Sequence, residues 1–126
     1  MLAEATTHTT LPVADLDRAK RWYHDKLGMD PVSEFPEGGV MYETAGGKFG
    51  LYQTQVNERA GHTQMDFEVA DLKAEMAQLR SNGVVFEDYD MPGIKTTDGV
   101  AEWPDGAAAW FKDCEGNVLC IMHQEH

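Results

Sequence analysis

Two polar side chains, His8 and Gln64, occupy equivalent positions in an internal repeat. Residues 13–16, Val-Ala-Asp-Leu, recur letter for letter at 69–72, and the same offset of 56 residues relates His8 to Gln64. An imidazole can bind a metal ion or transfer a proton, whereas a carboxamide mainly donates and accepts hydrogen bonds. Asp66 follows Gln64 by two residues, so strand alternation predicts that both lie on one face. The two copies therefore offer different chemistry at equivalent positions.

The thiols of Cys114 and Cys120 are the other reactive groups of the chain. Two cysteines six residues apart are not a disulfide framework, so we interpret both as reduced thiols of a cytoplasmic protein. Cys120 shares a predicted strand face with Val118 and Met122, which favours a small apolar filler over a ligand. Neither thiol has a convincing activating neighbour in the sequence, although His123 could lie near Cys120.

The sequence allows two roles for several of these polar groups. His8 either contacts a ligand or only hydrogen-bonds near an interface, and Asp66 either points into a cavity or lies solvated at its rim. A displaced metal site of His62, His8 and Asp66 is a minor alternative. The segment Tyr89–Thr96 is either a lid or a surface loop.

Hydrophobic periodicity predicts the elements that would position these groups. Asp15 and Asp71 are predicted N-caps of helices over Leu16–Leu27 and Leu72–Asn82, each followed by a glycine. The predicted strands of the first copy are Thr6–Val13, Pro31–Phe35, Val40–Thr44 and Lys48–Gln55. Those of the second copy are His62–Val69, Val84–Tyr89, Ala107–Lys112 and Asn117–His123. Residues 90–106 are predicted to be a long, turn-rich loop with a short strand at Val100–Trp103.

The order of these elements is βαβββ–βαβββ, which predicts an α+β fold of two tandem modules. We expect a single domain with module one at 1–56, a linker at 57–61 and module two at 62–126. One helix cannot cover both faces of four strands. We therefore predict curved mixed sheets that form a cup, with the helices outside and a pseudo-two-fold axis between the modules.

Composition limits the partners of the chain. Its 126 residues, of which 42% are hydrophobic, suffice for one packed core, and no apolar run reaches the length of a membrane span. A net charge of −12 argues against nucleic acid and anionic membranes, whose binding begins with phosphate neutralisation. The acidic surface serves either solubility or the attraction of a cationic ligand. The N-terminal residues carry no recognisable signal peptide, in keeping with a cytoplasmic protein.

Three groups of residues resemble one known superfamily. The first is residues 11–23 (LPVADLDRAKRWY) with Lys26-Leu27-Gly28, the second is residues 69–72 with Asn82-Gly83-Val84, and the third is residues 110–117 (WFKDCEGN). Their order and spacing resemble the vicinal oxygen chelate superfamily of glyoxalase, bleomycin-resistance and ring-cleaving dioxygenase proteins. The superfamily usually has proline where this chain has Cys114. The resemblance covers nearly the whole chain and implies the tandem βαβββ fold, but one scaffold hosts many chemistries.

The resemblance also implies where metal ligands would lie. Metal enzymes of the superfamily place ligands on the first and last strands of each module, which correspond here to His8, Gln64, Gly50 and Cys120. His8 fits and Gln64 is tolerable, but Gly50 has no side chain and Cys120 is the wrong donor for an oxygen-rich site. We therefore predict no metal and no other cofactor, with His8 as the best residual candidate ligand.

Two functions from different classes follow. The first is a small-molecule-binding protein that holds a cationic or aromatic ligand in the concave cavity, without an intact metal site. The second is a metal-dependent lyase, isomerase or dioxygenase that acts on vicinal oxygens with His8 as anchor. The resemblance also implies a homodimer, for which C2 symmetry is the commonest arrangement. The predicted cavity residues are His8, Thr10, Tyr52, Gln64, Asp66, Trp103, Trp110 and Cys120.

Overall fold

The computed structural model describes residues 1–36, 38–55 and 61–124. Within these described residues, a short 3-10 helix at Leu2–Glu4 precedes two α-helices and ten strands. Module one contains β1 (Thr9–Val13), α1 (Leu16–Leu27), β2 (Ser33–Phe35), β3 (Gly39–Glu43) and β4 (Lys48–Gln53). Module two contains β5 (Thr63–Glu68), α2 (Leu72–Ser81), β6 (Asp90–Met91), β7 (Ile94–Thr97), β8 (Val100–Trp103), β9 (Gly106–Lys112) and β10 (Val118–Gln124).

The strands form two open mixed sheets. Sheet one has the order β1-β4-β3-β2, and sheet two has the order β5-β10-β9-β8-β7-β6. In each sheet the first strand pairs in parallel with the last strand of its module, and the other pairs are antiparallel. The predicted α+β fold of two tandem modules is confirmed.

Both helices begin at the aspartates that the sequence predicts. The Asp15 carboxylate accepts a hydrogen bond from the Arg18 N–H at 3.0 Å, and Asp71 does the same for Ala74 at 3.1 Å. Helix α1 ends where Gly28 adopts a left-handed φ of 68°, which a residue with a side chain rarely adopts. Helix α2 ends at Ser81, one residue earlier than predicted, and Asn82 is its C-cap.

The modules share one hydrophobic core. Each sheet has a helix face, whose side chains pack with α1 and α2, and an opposite free face. In the core, the Phe49 ring of sheet one meets Phe67 of sheet two edge to face, with centroids 5.9 Å apart. Trp22 of α1 stacks on Phe111 of sheet two at 6.4 Å. The two modules of one chain thus pack through their helix faces.

The turn between β9 and β10, residues 113–117, also joins the modules. The buried Asn117 amide donates to the Pro12 carbonyl at 2.9 Å, and the Tyr23 hydroxyl donates to Asp113 at 2.7 Å. The Glu115 carboxylate accepts from the Ala14 N–H at 2.6 Å and from Arg18 at 2.7 Å. These hydrogen bonds fasten the turn of module two to β1 and α1 of module one, and those of Glu115 pair backbone N–H groups at the start of α1. We call residues 113–117 the clasp turn.

Two strand predictions need correction. Val84–Tyr89 is not a strand: Val84 and Phe86 bury their side chains in the core, but the segment makes a single bridge, from Phe86 to Phe111. The reason is that β8 occupies the position beside β9. The first strand begins at Thr9 rather than Thr6, because the pairing with β4 begins at Thr9 and Phe49.

The predicted long loop at 90–106 is also wrong, since it contains the strands β6, β7 and β8. Tight turns make this possible: Gly93 and Gly99 have φ values of 85° and 83°, and Asp98 has a φ of 52°. The short strand at Val100–Trp103 is confirmed. Residues 57–60 of the predicted linker and Glu37 of the predicted turn lie outside the described residues. Among the described helices, none is long and apolar enough to cross a membrane.

Candidate functional site

Three aromatic rings cluster on the free face of sheet two. Trp110 of β9 is the centre: its ring lies 5.6 Å from Tyr89 and 6.4 Å from Trp103, at interplanar angles of 76° and 82°. Its indole N–H donates to the Thr63 hydroxyl at 2.9 Å, which fixes the ring. Trp110 is buried, whereas Trp103 is 41% exposed. We call Tyr89, Trp103 and Trp110 the aromatic cluster.

Small residues lie beside the aromatic cluster. Ala101 and Ala108 face each other across β8 and β9 on the free face and pack with Trp110. A cavity of about 160 Å³ opens next to the Trp110 ring. It is lined by Gly61, His62, Thr63, Tyr89, Met91, Ile94, Trp110 and Val118. The edge-to-face rings and this mostly apolar cavity form a surface on which a flat ring could pack.

The segment Tyr89–Thr96, which contains β6 and most of β7, forms the edge of sheet two. The Thr96 hydroxyl donates to Asp88 at 2.7 Å, and the Tyr89 N–H donates to the Thr96 hydroxyl at 2.8 Å. The hydrogen bond from Thr96, followed by that from the Gly99 N–H, lowers the pKa of Asp88 below its usual value. Burial raises the pKa of the Tyr89 hydroxyl. The segment therefore forms one anchored wall of the cavity.

Cys120 and Asp66 lie in the same cross-strand row as Trp110. Asp66 pairs with Cys120, which in turn pairs with Trp110. Cys120 is 2% exposed. Burial raises the pKa of its thiol, and the hydrogen bond and charge of Asp66 raise it further, to about 12. The thiol is therefore protonated at neutral pH, which is unfavourable for a nucleophile or a metal ligand.

The Gln64 side chain hydrogen-bonds to Asn117 of the clasp turn and to the backbone of Val118. Its amide nitrogen donates to Asn117 at 3.2 Å, and its amide oxygen accepts from the Val118 N–H at 3.1 Å. Both ends of the carboxamide are therefore used within module two. This arrangement corresponds to a structural role for Gln64.

The remaining sequence-predicted residues lie apart from the aromatic cluster. His8 is exposed in the segment before β1, and Thr10 is exposed on β1. Tyr52 is 47% exposed on the free face of sheet one. On that face the Met41 side chain covers Gly50, where a Cβ would lie 3.3 Å from the Val40 carbonyl.

The donor set does not fit the metal site that the resemblance implies. Gly50 supplies no ligand, Gln64 is hydrogen-bonded at both ends, and Cys120 is buried as a thiol. Within residues 1–36, 38–55 and 61–124, no three His, Cys, Asp or Glu side chains form a group that could hold a metal ion. The alternative site of His8, His62 and Asp66 is not assembled among these residues either.

The chain was compared with known proteins. The model of the Glyoxalase/Bleomycin resistance protein/Dioxygenase superfamily matches residues 6–121. The chain belongs to this superfamily. The resemblance noted in the sequence is thereby confirmed. A search of curated proteins gives no match.

Several solved structures share the fold of this chain at low sequence identity. A glyoxalase family protein from Bacillus anthracis is 16% identical with a TM-score of 0.76, over 97% of this chain and 96% of that one. TnmS3, an antibiotic binding protein from Streptomyces sp. CB03234, is 24% identical with a TM-score of 0.71, over 99% of both chains. The fosfomycin resistance protein FosX from Listeria monocytogenes, as a mutant complexed with Mn(II), is 14% identical with a TM-score of 0.65, over 94% and 88%. An antibiotic binding protein and a protein complexed with Mn(II) thus share this fold.

Sequence reasoning placed Trp103 and Trp110 in the site but did not include Tyr89, Thr63 or Ile94. Tyr89 was part of a segment with two interpretations, and its place beside Trp110 depends on the strands β6 and β7. An aromatic residue next to a run of closely spaced turn residues was the available signal. Thr10 and Tyr52 on sheet one and His8 in the segment before β1 stay predicted site residues.

Proposed function

We propose that the protein binds a small molecule with a flat aromatic ring on the free face of sheet two, without a metal ion. The observation that carries this proposal is the aromatic cluster, where the rings of Tyr89 and Trp103 stand edge-on to Trp110 beside a cavity of about 160 Å³. Rings held by packing and by the hydrogen bond from Trp110 to Thr63 lose little freedom when a ligand stacks on them.

The charge of the chain favours a cationic ligand. The net charge is −12, and the exposed Asp66 and Glu68 lie on β5, two strands from Trp110. A cation gains from this potential over a long range, and it also gains at short range from the faces of aromatic rings. We therefore expect planar cations to bind more tightly than neutral rings of the same size.

A homodimer would bring a second surface to this site. Phe35 and Tyr52 are 42% and 47% exposed on the free face of sheet one, next to the glycines Gly39 and Gly50. In our proposal this face of one copy covers the aromatic cluster of another copy, which would also bring His8 and Thr10 to the ligand. Sedimentation at micromolar concentration tests this part, because a single species of about 14 kDa contradicts it.

A titration with the planar cation proflavine, followed by tryptophan fluorescence, tests the binding proposal. We expect quenching in the unmodified protein and weaker binding by about ten-fold or more in Trp103→Ala, since stacking on one aromatic side chain contributes about 1–3 kcal/mol. Val85→Ala is the matched control, because Val85 is 79% exposed and does not line the cavity beside Trp110. Equal binding by both variants contradicts the proposal, as does the absence of binding.

Elemental analysis of the purified protein tests the part of the proposal that says no metal ion is bound. We expect no stoichiometric divalent ion. One tightly held ion per chain, with a His8 nitrogen at about 2.0–2.1 Å, overturns it in favour of a metal-dependent lyase, isomerase or dioxygenase.

A further inference from the structure

A groove of about 800 Å³ lies on the helix face of sheet two, away from the aromatic cluster. One wall is a single stripe of α2 formed by Lys73, Met76, Ala77 and Arg80. The other wall is the β7–β8 hairpin with Lys95, Thr97, Asp98, Val100 and Glu102. We call this surface the α2–β7 groove.

The strands that form this groove distinguish the two modules. Sheet one ends at β2, the counterpart of β8, whereas sheet two continues through β7 and β6. The additional hairpin extends the sheet opposite α2. In the described part of module one, α1 faces no such strands.

Three cations of the groove form no ion pair with a carboxylate in the described part of the chain, although the charge of Arg80 helps to lower the pKa of Asp88. Arg18, Lys20 and Lys112 each pair with a glutamate within 4 Å. Among the described residues, Lys73, Arg80 and Lys95 form no ion pair within that distance. The groove also carries the carboxylates of Asp98 and Glu102, so its lining has a net charge of about +1 in a chain of −12.

The arginine is already held in place. Its guanidinium donates one hydrogen bond to the Asp98 carbonyl at 2.8 Å and lies 5.2 Å from the centre of the Phe86 ring. A guanidinium has five N–H donors, so most of them are free for a ligand. The Asp98 turn is anchored as well, because the Gly99 N–H donates to Asp88 at 2.9 Å.

The floor between the cations is apolar. Met76 and Val100 contribute to the shared core and also line the groove, together with Ala77. A cavity of this volume can hold a molecule of drug size, and its lining combines apolar contacts with a few charged groups. We infer that the α2–β7 groove binds an organic anion with an apolar body, such as an aryl carboxylate or aryl sulfonate, held by Lys73, Arg80 and Lys95.

The fluorescent anion 8-anilinonaphthalene-1-sulfonate is the probe for this inference. We expect the double variant Lys73→Gln/Lys95→Gln to bind it about ten-fold more weakly, since each exposed charge contact contributes a few-fold. Glu102→Gln should bind about three-fold more tightly, because one repulsive charge is removed. Lys112→Gln is the control for the loss of one lysine charge: it removes a single positive charge outside the groove and should change affinity by less than about two-fold, whereas Lys73→Gln or Lys95→Gln alone should weaken binding by a few-fold.

The neutral analogue N-phenyl-1-naphthylamine and the variant Trp103→Ala separate this site from the aromatic cluster. We expect the neutral probe to be indifferent to the lysine substitutions, and the anionic probe to be indifferent to Trp103→Ala. The inference is overturned if the double variant binds the anion as the unmodified protein does, if Trp103→Ala abolishes its binding, or if the anion does not bind. None of these results bears on proflavine binding, so the two proposals fail independently.

Discussion

The turns that end β3 and β9 occupy equivalent positions in the two modules but do different things. The side chains of the clasp turn contact module one at three places: Asn117 contacts β1, Glu115 contacts the start of α1, and Asp113 contacts the Tyr23 hydroxyl further along α1. The module-one turn at 44–47 (Thr-Ala-Gly-Gly) has no charged side chain. A cleft of about 460 Å³ lies between this turn and β5. Both halves of the repeat thus contribute to one shared core, whereas the clasp turn makes several hydrogen bonds to the other module that the turn at 44–47 does not match among the described residues.

Asn117→Ala should have the largest effect on this comparison. It removes the donor of the Pro12 carbonyl, one of the two donors of Asp113 Oδ2 and the acceptor of the Gln64 amide nitrogen. The loss of these contacts around the buried Asn117 costs about 3 kcal/mol of unfolding free energy. Gly47→Ala is the matched substitution in module one, where a Cβ would lie 3.8 Å from the Thr44 hydroxyl. We expect it to change stability by less than about 0.5 kcal/mol. Urea unfolding measures both, and similar losses would show that the clasp turn has no special role.

The next largest difference in stability is expected between phenylalanine variants of two buried tyrosines, Tyr23 and Tyr42. Tyr23→Phe removes the hydroxyl that donates to Asp113 at 2.7 Å, and a hydrogen bond to a carboxylate contributes about 2 kcal/mol. Tyr42→Phe removes a buried hydroxyl that has no hydrogen-bond partner among the described residues, so it should be neutral or stabilising by up to about 1 kcal/mol. Thermal unfolding of the two variants checks this. A Tyr42→Phe variant as unstable as Tyr23→Phe would contradict the stated hydrogen bonding.

Glu115→Gln should destabilise the protein by about 1 kcal/mol and should change its acid sensitivity. Burial is the largest influence and raises the pKa of Glu115. The hydrogen bonds from the Ala14 N–H, Arg18 and the Asp15 N–H outweigh it, so the pKa lies below the usual value. The contribution of this carboxylate is therefore complete above the ordinary glutamate pKa and is lost as the pH falls through the lowered one.

Unfolding curves between pH 6 and pH 3 test this sign. The difference in stability between the unmodified protein and Glu115→Gln should shrink as the pH falls. A difference that grows towards low pH would be incompatible with a lowered pKa.

The smallest effect concerns the ends of the two helices. His24 and Arg80 are related by the 56-residue offset: His24 bonds the Asp30 carboxylate at 2.8 Å, whereas Arg80 bonds a backbone carbonyl. The hydrogen bond and charge of Asp30 raise the pKa of His24. The stabilisation from this contact is therefore fully present below the ordinary histidine pKa, and it is lost as the pH rises through the raised pKa of His24. In an NMR titration, Asp30→Asn should lower the pKa of His24; an unchanged value would remove the assigned cause.

The sequence was sufficient to predict what depends on local pattern. The capping aspartates Asp15 and Asp71 and the terminating Gly28 determine helix limits within a few residues, and the repeat determines the tandem fold. The short strands β6 and β7 were missed because two to four residues carry too little periodicity to outweigh several turn signals. Likewise, alternation in residues 84–89 described burial correctly but could not reveal that β8 already occupied the place beside β9.

The candidate site was harder to predict because it depends on contacts between distant residues. Trp110 could be assigned to a strand face from its neighbours, but its hydrogen bond to Thr63 and its contact with Tyr89 follow from the order of sheet two. Gln64 was assigned to a cavity by alternation. Its hydrogen bonds to Asn117 of the clasp turn and to Val118 of β10 lie beside the register shift between Val118 and Leu119, for which the sequence has no signal.

The clasp turn also has a consequence for synthesis on the ribosome. Asn117 follows its partner Pro12 by 105 residues. At about 5–20 residues per second, roughly 5–20 s pass between the translation of the two. During that time the nascent first module lacks the groups that satisfy the start of its helix, and it exposes the apolar face that later meets Phe67 and Phe111. Cotranslational folding of this chain is therefore expected to finish late, in a single step, when the clasp turn leaves the exit tunnel.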